Sequence, residues 1–343
     1  MAKRATVADV AALAKVSSAT VSNVIGNRSG KVSTRTRQRV LEAISALNYT
    51  YNENAATLRS NKSNIIGLVI HDLSNPYYTE LIAKINRQLA KKGYATILAC
   101  SDENLESQQS YLHLMQRHNA LAVLLCPTWD TSGEHLAAWH DLSPTITFLR
   151  PVGSHESDFI GIDNYQAAYD LTRQLIADGH RQLAFIGGSQ SSRLRRQRLQ
   201  GWKDAHEDAG ISWNDAHILY CSSSMSAGSA AVMQLFQQTS DVTALVCYQD
   251  IVAFGAMNAL HYMGKTVGGE IAVTGFDGLS DAEGWLPSLT TAEVQIAVLA
   301  EHIVDRLLAR LEKPQEPPSV TLLHAHIHWR ASSHGDVDSS HAR

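Results

Sequence analysis

The sequence predicts an α/β core of two doubly wound parallel-sheet lobes behind an N-terminal all-α helix-turn-helix head. Three observations lead there. Residues 6–27, TVADVAALAKVSSATVSNVIGN, hold two short apolar periods separated by a break at Lys15 and Val16. From Asn64 onward, short β-branched runs alternate with amphipathic stretches, the pattern of strands joined by crossover helices. Charge divides near the same boundary: residues 1–62 carry ten basic and three acidic side chains, whereas the whole chain is −4. A basic head on an acidic body points to a polyanion met by the head alone.

In the head, Thr6 caps a first helix, with Asp9 facing back toward the free N–H groups. Val7, Val10, Ala11 and Ala14 then share one face. Ser17 caps a second helix with apolar Val21, Val24 and Ile25 and with small, uncharged Ala19, Ser22 and Asn23 outside. A slim outer face is what a recognition helix needs to enter a major groove. Spacing alone also leaves an ordinary surface helix pair open. A third helix starts at the cap Ser33, with Val40, Ile44 and Leu47 inward. Residues 49–60, YTYNENAATLRS, are too short for a stable isolated helix, and Asn61–Ser63 read as a junction.

The core strands are predicted at 65–70, 95–100, 120–126, 145–149, 182–188, 243–247 and 271–276. Helical patterns fall at 78–92, 105–118, 165–178, 226–238 and 250–263. So many units make two lobes rather than one sheet, and ligands of open parallel sheets bind beyond the carboxyl ends of the strands, here in a cleft between lobes. Residues 331–343 are polar and aperiodic, and disorder is expected there. They carry no leucine heptads and hence no coiled-coil seam. The expected domains are therefore 1–60, 61–330 and a tail at 331–343.

At 343 residues, 44% of them hydrophobic, the chain suits a soluble protein of two or three domains. No apolar run approaches the roughly 20 residues of a membrane span. The N-terminus lacks an apolar signal core, so a cytoplasmic protein is expected. Cys100, Cys126, Cys221 and Cys247 show no CxxC spacing and read as reduced thiols.

At this point the chain resembles the LacI/GalR family of bacterial transcription regulators, over its length to about Arg330. In the head the similarity rests on Asp9-Val10-Ala11, Val16-Ser17, Thr20-Val21-Ser22, Val32-Ser33, Arg37 and Leu47-Asn48-Tyr49. In the core it rests on Ser74-Asn75-Pro76-Tyr77-Tyr78, Gly179-His180-Arg181, Ile186-Gly187-Gly188, Gly275-Phe276-Asp277 and Pro287-Ser288-Leu289-Thr290-Thr291. The resemblance implies a periplasmic-binding-protein-like core, a homodimer on palindromic double-stranded operator DNA, and a small effector, with no cofactor. It places Thr6, Ser17, Ser18, Ala19, Thr20, Ser22, Asn23 and Ser33 at the DNA. It also implies a hinge helix at 52–60 in which Asn52, Ala55, Leu58 and Arg59 meet the minor groove, Leu58 as a wedge at the operator centre. Tyr51 stands where the family often has proline, which leaves the start of that helix less fixed.

For the effector, the resemblance implies Asp72, Tyr78, Arg196, Asp250 and Asp277. Carboxylates accept from sugar hydroxyls and a guanidinium donates a fork. Two or three of Arg193, Arg195, Arg196 and Arg198 are expected on a solvated helix face. Many relatives have Asp-Arg at the end of the fourth strand, and here it is Leu149-Arg150. Arg150 with Arg196 therefore favours a sugar phosphate or acid as well as a sugar. Gly187 to Ser192 and Cys247-Tyr248 show slight similarity to maltose-regulon repressors, too little to name a sugar.

The rival readings are a transport-type solute-binding protein, which has such a core but no basic head, and a regulator that uses a corepressor or activates. An enzyme has no support, since GxGxxG, GxSxG and the P-loop lysine are all missing. His324, His326 and His328 alternate, so on a strand they share one face; surface histidines are expected there rather than a metal site.

Overall fold

The computed structural model describes residues 5–25, 32–49, 63–140, 143–153 and 157–334. The hinge positions Asn52, Ala55, Leu58 and Arg59 lie outside them. The chain divides into two compact units, Met1–Ser63 and Asn64–Arg343.

The head holds helices Val7–Ala14, Ser18–Ile25 and Thr34–Ala46. Thr6 and Asp9 form the expected capping box, Thr6 N donating to Asp9 Oδ2 at 2.8 Å and Asp9 N to Thr6 Oγ1 at 3.3 Å. The first helix ends where Lys15 turns left-handed, with φ 52°. Arg39, from the third helix, donates to the Ala14 and Lys15 carbonyls exposed there, where a cation meets the negative end of the helix dipole. Helices this short are unstable alone. They are held by one cluster of Val10, Ala11, Ala14, Val21, Val24, Val40 and Ala43.

The second unit holds strands β1 Ile65–Ile70, β2 Ala95–Cys100, β3 Ala122–Leu125, β4 Thr145–Phe148, β5 Asp158–Ile162, β6 Leu183–Ile186, β7 Ile218–Leu219, β8 Ala244–Cys247, β9 Ala272–Phe276, β10 Thr290–Glu293, β11 Val320–Leu323 and β12 His326–His328. They form two sheets, in the orders β11-β5-β4-β3-β1-β2 and β12-β10-β9-β8-β6-β7. Every pairing is parallel except β10 with β12. The chain therefore passes between lobes three times: after β5, after β10, and between β11 and β12. The first lobe takes back helix Ile296–Glu312, which packs on helix Pro76–Lys91.

All seven predicted strands are present. Strands β5, β7, β10, β11 and β12 are additional. Gly161 interrupts the apolar run of β5, β7 has two residues, and β11 and β12 sit at sheet edges and are half exposed. Such strands carry little hydrophobic signal.

One buried ionic knot closes the first lobe. Asp158 is wholly buried at the start of β5. Arg306 and Arg310 of the returning helix each place Nε 2.8 Å from a carboxylate oxygen, and Ser319 N donates at 2.9 Å. Burial alone raises this carboxyl's pKa, but the hydrogen bonds from Arg310, Ser319 and Arg306 outweigh it and hold the pKa below the usual value. Removing one partner of such a knot leaves an uncompensated buried charge.

The expected tail needs correction. Residues Ala331–His334 form a short helix, and Ser332 is wholly buried. Ser332 Oγ donates to Val273 O at 2.6 Å and accepts from Thr290 N at 2.8 Å, while Thr290 and Ser333 hydroxyls pair at 2.6 Å. A polar segment is ordered here because its hydroxyls complete the hydrogen bonding at the strand ends of the second lobe.

Truncation after His334 should leave the melting midpoint unchanged. Truncation after Arg330 orphans the Thr290 amide and the Val273 carbonyl, a cost of about 2 kcal/mol or more. That corresponds to a midpoint lower by roughly 4 °C or more. Thermal melting of both truncations checks this, and equal midpoints refute the fastening role.

Candidate effector cleft and DNA-binding head

A cavity opens between the carboxyl ends of the two sheets. From the first lobe Tyr77, Tyr78, Leu149 and Ile162 line it, and from the second Asn164, Leu194, Arg198, Tyr248, Gln249 and Asp277. Its free volume is about 10 Å³, room for about one water. Ser280 Oγ donates across the lobes to Glu80 Oε1 at 3.1 Å. This is a closed cleft, and the lobes must part to admit a sugar-sized molecule, whose pockets are typically ~300 Å³ or larger.

Arg198 is the anchor of the cavity. It lies on helix Arg193–Asp208, capped by Ser192, whose Oγ accepts from Arg195 N at 3.0 Å. Its Nε donates to Asn164 Oδ1 at 2.9 Å, Nη1 to Tyr248 O, and Nη2 stands 3.9 Å from Asp277 Oδ1. The guanidinium carbon sits 3.4 Å over the Phe276 ring. Asp277 adopts φ 121° at the end of β9, and burial pushes its carboxyl pKa well up, opposed by Arg198 and reinforced by Asp250. Asp277 Oδ2, Gln249 Oε1, Asn75 Nδ2 and the Tyr77 hydroxyl are buried with no partner in hydrogen-bond geometry. Acceptor oxygens on Asp277 and Gln249, the Tyr77 hydroxyl and a fixed fork suit a polyhydroxylated ligand.

In the head, Ser18 and Ala19 are exposed and Ser22, Asn23 and Thr20 are half-buried on helix Ser18–Ile25. The hydroxyls of Ser17 and Ser33 already cap helices, accepting from Thr20 N at 3.1 Å and Thr36 N at 3.3 Å. The Thr6 hydroxyl donates to Asp9 at 2.7 Å.

Comparison with known proteins decides the family. Residues 63–329 match the family described as periplasmic binding proteins and sugar binding domain of LacI family, and residues 6–52 match bacterial regulatory proteins, lacI family. This chain belongs to the LacI family. It is 31% identical over 332 residues to the HTH-type transcriptional repressor PurR of Escherichia coli O139:H28, covering 96% of both chains. It is 30% identical over 305 residues to the HTH-type transcriptional regulator GalR of Escherichia coli K12, covering 89% of both. Its fold matches a crystal structure of the lac repressor dimer bound to operator and the anti-inducer ONPF with TM-score 0.85 and 26% identity, covering 96% of this chain and 99% of that one. The chain is thus a DNA-binding transcriptional repressor of the LacI family.

Among the expected effector residues, the LacI-family cleft gathers Tyr78 and Asp277. Arg196 is exposed and donates to Gln190 O and Ser191 O at 3.1 Å. The buried face of its helix runs through Leu194, Arg195, Arg198, Gly201, Trp202 and Ala205. Two residues are about 200° of helix, so Arg196 and Arg198 cannot share that face. The structure therefore puts the expected Arg196 outside the cleft, and Arg198 is the arginine that lines it. Arg150 is paired with Glu103 at 2.6 Å and stacked on Trp129. Asp72 accepts from Ser74 N and Oγ at 2.7 Å, closing a turn. Asp250 lies behind the cleft, accepting from Thr291 Oγ1 at 2.6 Å and Leu279 N at 2.8 Å. A side chain on Gly275 would run into it.

Of the cleft lining, Tyr77, Asn164, Arg198, Tyr248 and Gln249 were not among the expected effector residues. The signal for Arg198 was present, as its distance of four residues from Trp202 on the buried face. His328 Nε2 is 2.7 Å from Glu293 Oε2, and among the described residues no group of three or more His, Cys, Asp or Glu is arranged to hold a metal. All four cysteines are free thiols. Among the described residues no helix is long and apolar enough to cross a membrane.

Burial pushes the Asp250 carboxyl up to about 6, despite the hydrogen bonds from Thr291 and from the backbone that lower it. A carboxyl whose folded-state pKa exceeds its unfolded value stabilises the fold at low pH, and that contribution fades as pH rises from about 4 through about 6. Asp250→Asn removes the titration. Between pH 4.5 and pH 7.5 the wild type should lose on the order of 2 kcal/mol relative to the variant, measured by urea unfolding. Parallel pH profiles refute this.

Proposed function

We propose that this LacI-family repressor binds a palindromic operator as a homodimer, and that a sugar or sugar phosphate held between its lobes controls operator affinity. The observation that carries the reading is the closed interlobe cavity, where Arg198, held by Asn164 and Tyr248, faces Asp277 and where Asp277, Gln249 and Tyr77 each keep a buried polar atom unpartnered. The family's sugar binding domain spans that region. A transport-type binding protein needs no head, whereas this chain has one with a slim recognition helix. Cytoplasmic function follows from a task on DNA.

Ser18, Ala19 and Asn23 face base edges in this reading, and helix N-termini at Thr6, Ser17 and Ser33 hold phosphates through backbone amides. The cap hydroxyls of those residues are engaged within the head, so the amides rather than the side chains serve there. Leu58 is assigned the wedge in the operator's minor groove, with Asn52, Ala55 and Arg59 beside it. For the dimer, the second lobe exposes Leu286, 91% accessible, beside half-buried Trp285, whose ring stacks at 4.2 Å on the buried Phe254. The lac repressor structure is a dimer on operator.

Effector binding changes operator affinity only through its differential affinity for two lobe arrangements. An induced release is the favoured sense, because parting the closed lobes moves the first lobe, which leads into the hinge.

Asn23→Ala should cost about 1–3 kcal/mol of operator affinity and relax preference at one base pair, as expected for a bidentate contact to adenine. Binding to a set of single-base operator variants tests it, and a uniform loss across all sequences makes Asn23 a backbone contact instead.

Arg198→Ala should abolish the effector response while effector-free operator affinity stays within a few-fold, whereas Arg196→Ala should respond normally. Operator binding with and without a sugar and sugar-phosphate panel, scored first by thermal shift, separates the two. A normal response in Arg198→Ala removes the cavity from the mechanism.

A further inference from the structure

The end of β4 carries a conformational oddity. Leu149 is a bulky residue at φ 60°, in the left-handed region, which costs free energy in any L-residue with a Cβ and marks functional sites when it persists. Arg150 N donates back to Phe148 O at 2.7 Å, tightening the turn. The result is that Leu149 lines the cavity while the Arg150 guanidinium is buried in the adjoining wall, 6% exposed.

The partners of Arg150 are unequal. Its guanidinium carbon lies 3.5 Å from the Trp129 ring centroid and Nη1 donates to Pro127 O at 3.2 Å. Its charge is met by Glu103 Oε1 at 2.6 Å. The Glu103 side chain is 38% exposed and stands on a turn in which Asp102 and Glu103 are both left-handed, with φ 49° and 57°. Arg150 Nε is buried without a partner. The guanidinium also acts electrostatically on the Tyr78 and Tyr248 hydroxyls, and both residues line the cavity. His71, 3.9 Å from Glu103, is held neutral by burial and by Arg150, so it adds no competing charge.

A buried cation is thus held by a part-exposed carboxylate seated on a left-handed turn. We infer that Glu103 is an internal stand-in for an oxyanion of the effector, and that Arg150 selects an anionic carbohydrate by exchanging Glu103 for that group. This rests on the reading of the interlobe cavity as the effector site. A phosphate or carboxylate oxygen pair takes the fork that Glu103 fills through one oxygen. Glu103 then swings into solvent, where a free carboxylate is well hydrated. Neutral sugars offer nothing to displace it, so the ion pair works against them.

The test is calorimetric titration of the full chain with inorganic phosphate, and separately with acetate, in the wild type, Glu103→Gln, Arg150→Met, Arg150→Lys and Arg198→Ala. Melting curves without ligand verify that each variant is folded. Glu103→Gln should bind phosphate about tenfold more tightly than the wild type, Arg150→Met should show no binding, and Arg150→Lys should bind weakly because the fork is lost. Tighter binding of phosphate than acetate assigns a phosphoryl group, and the reverse order assigns a carboxylate. Equal phosphate affinity in wild type and Glu103→Gln, unchanged binding in Arg150→Met, or no binding in any variant overturns the inference. If only Arg198→Ala alters binding, the cavity reading stands and the exchange at Arg150 falls. If Glu103 and Arg150 control binding while Arg198→Ala has no effect, the oxyanion site lies apart from the cavity and the cavity reading falls with it.

Discussion

A buried guanidinium has to satisfy five fixed donors, and in this chain that requirement at Arg198 organises the region between the lobes. The side chain reaches Asn164 where the chain first leaves β5, the Tyr248 carbonyl beyond β8, and Asp277 at the end of β9. These positions are far apart in sequence, so one residue pins the first crossover to the ligand-facing ends of two strands. Asn164 in turn donates to Ile162 O at 2.9 Å. Under the proposed function, a group that draws on Arg198 from within the cavity also acts on the first crossover between the lobes, which would couple occupancy to lobe angle.

The acidic groups around this cation divide by role. Asp277 faces the cavity with one oxygen unpartnered, while Asp250 is spent on Thr291 and Leu279 and keeps the β9 and β10 ends in register. Asp158 does a related structural task at the far side of the first lobe, with two arginines. Three aspartates in one core thus have different protonation behaviour, because burial raises the pKa of all three and only Asp158 has enough donors to reverse the effect.

Residues legible in the sequence were those whose pattern is local. The three head helices, their caps at Thr6, Ser17 and Ser33, and seven core strands follow from periods of 3.6 and 2 and from hydroxyl side chains next to apolar runs. The edge strands β11 and β12 were not legible, since half-exposed residues keep no consistent apolar face. Nor was the helix at Ala331–His334, whose serines look like tail composition until the strand ends they bond to are in place.

The sequence by itself determined the family and the division into head and core, because each depends on order along the chain. Only the tertiary structure decided which of four closely spaced arginines enters the cavity. It also decided that Arg150 is already engaged by Glu103 and that Asp250 is structural. Those outcomes depend on the rotation of a helix about its axis and on partners far away in sequence, and neither is encoded in the spacing of the residues themselves.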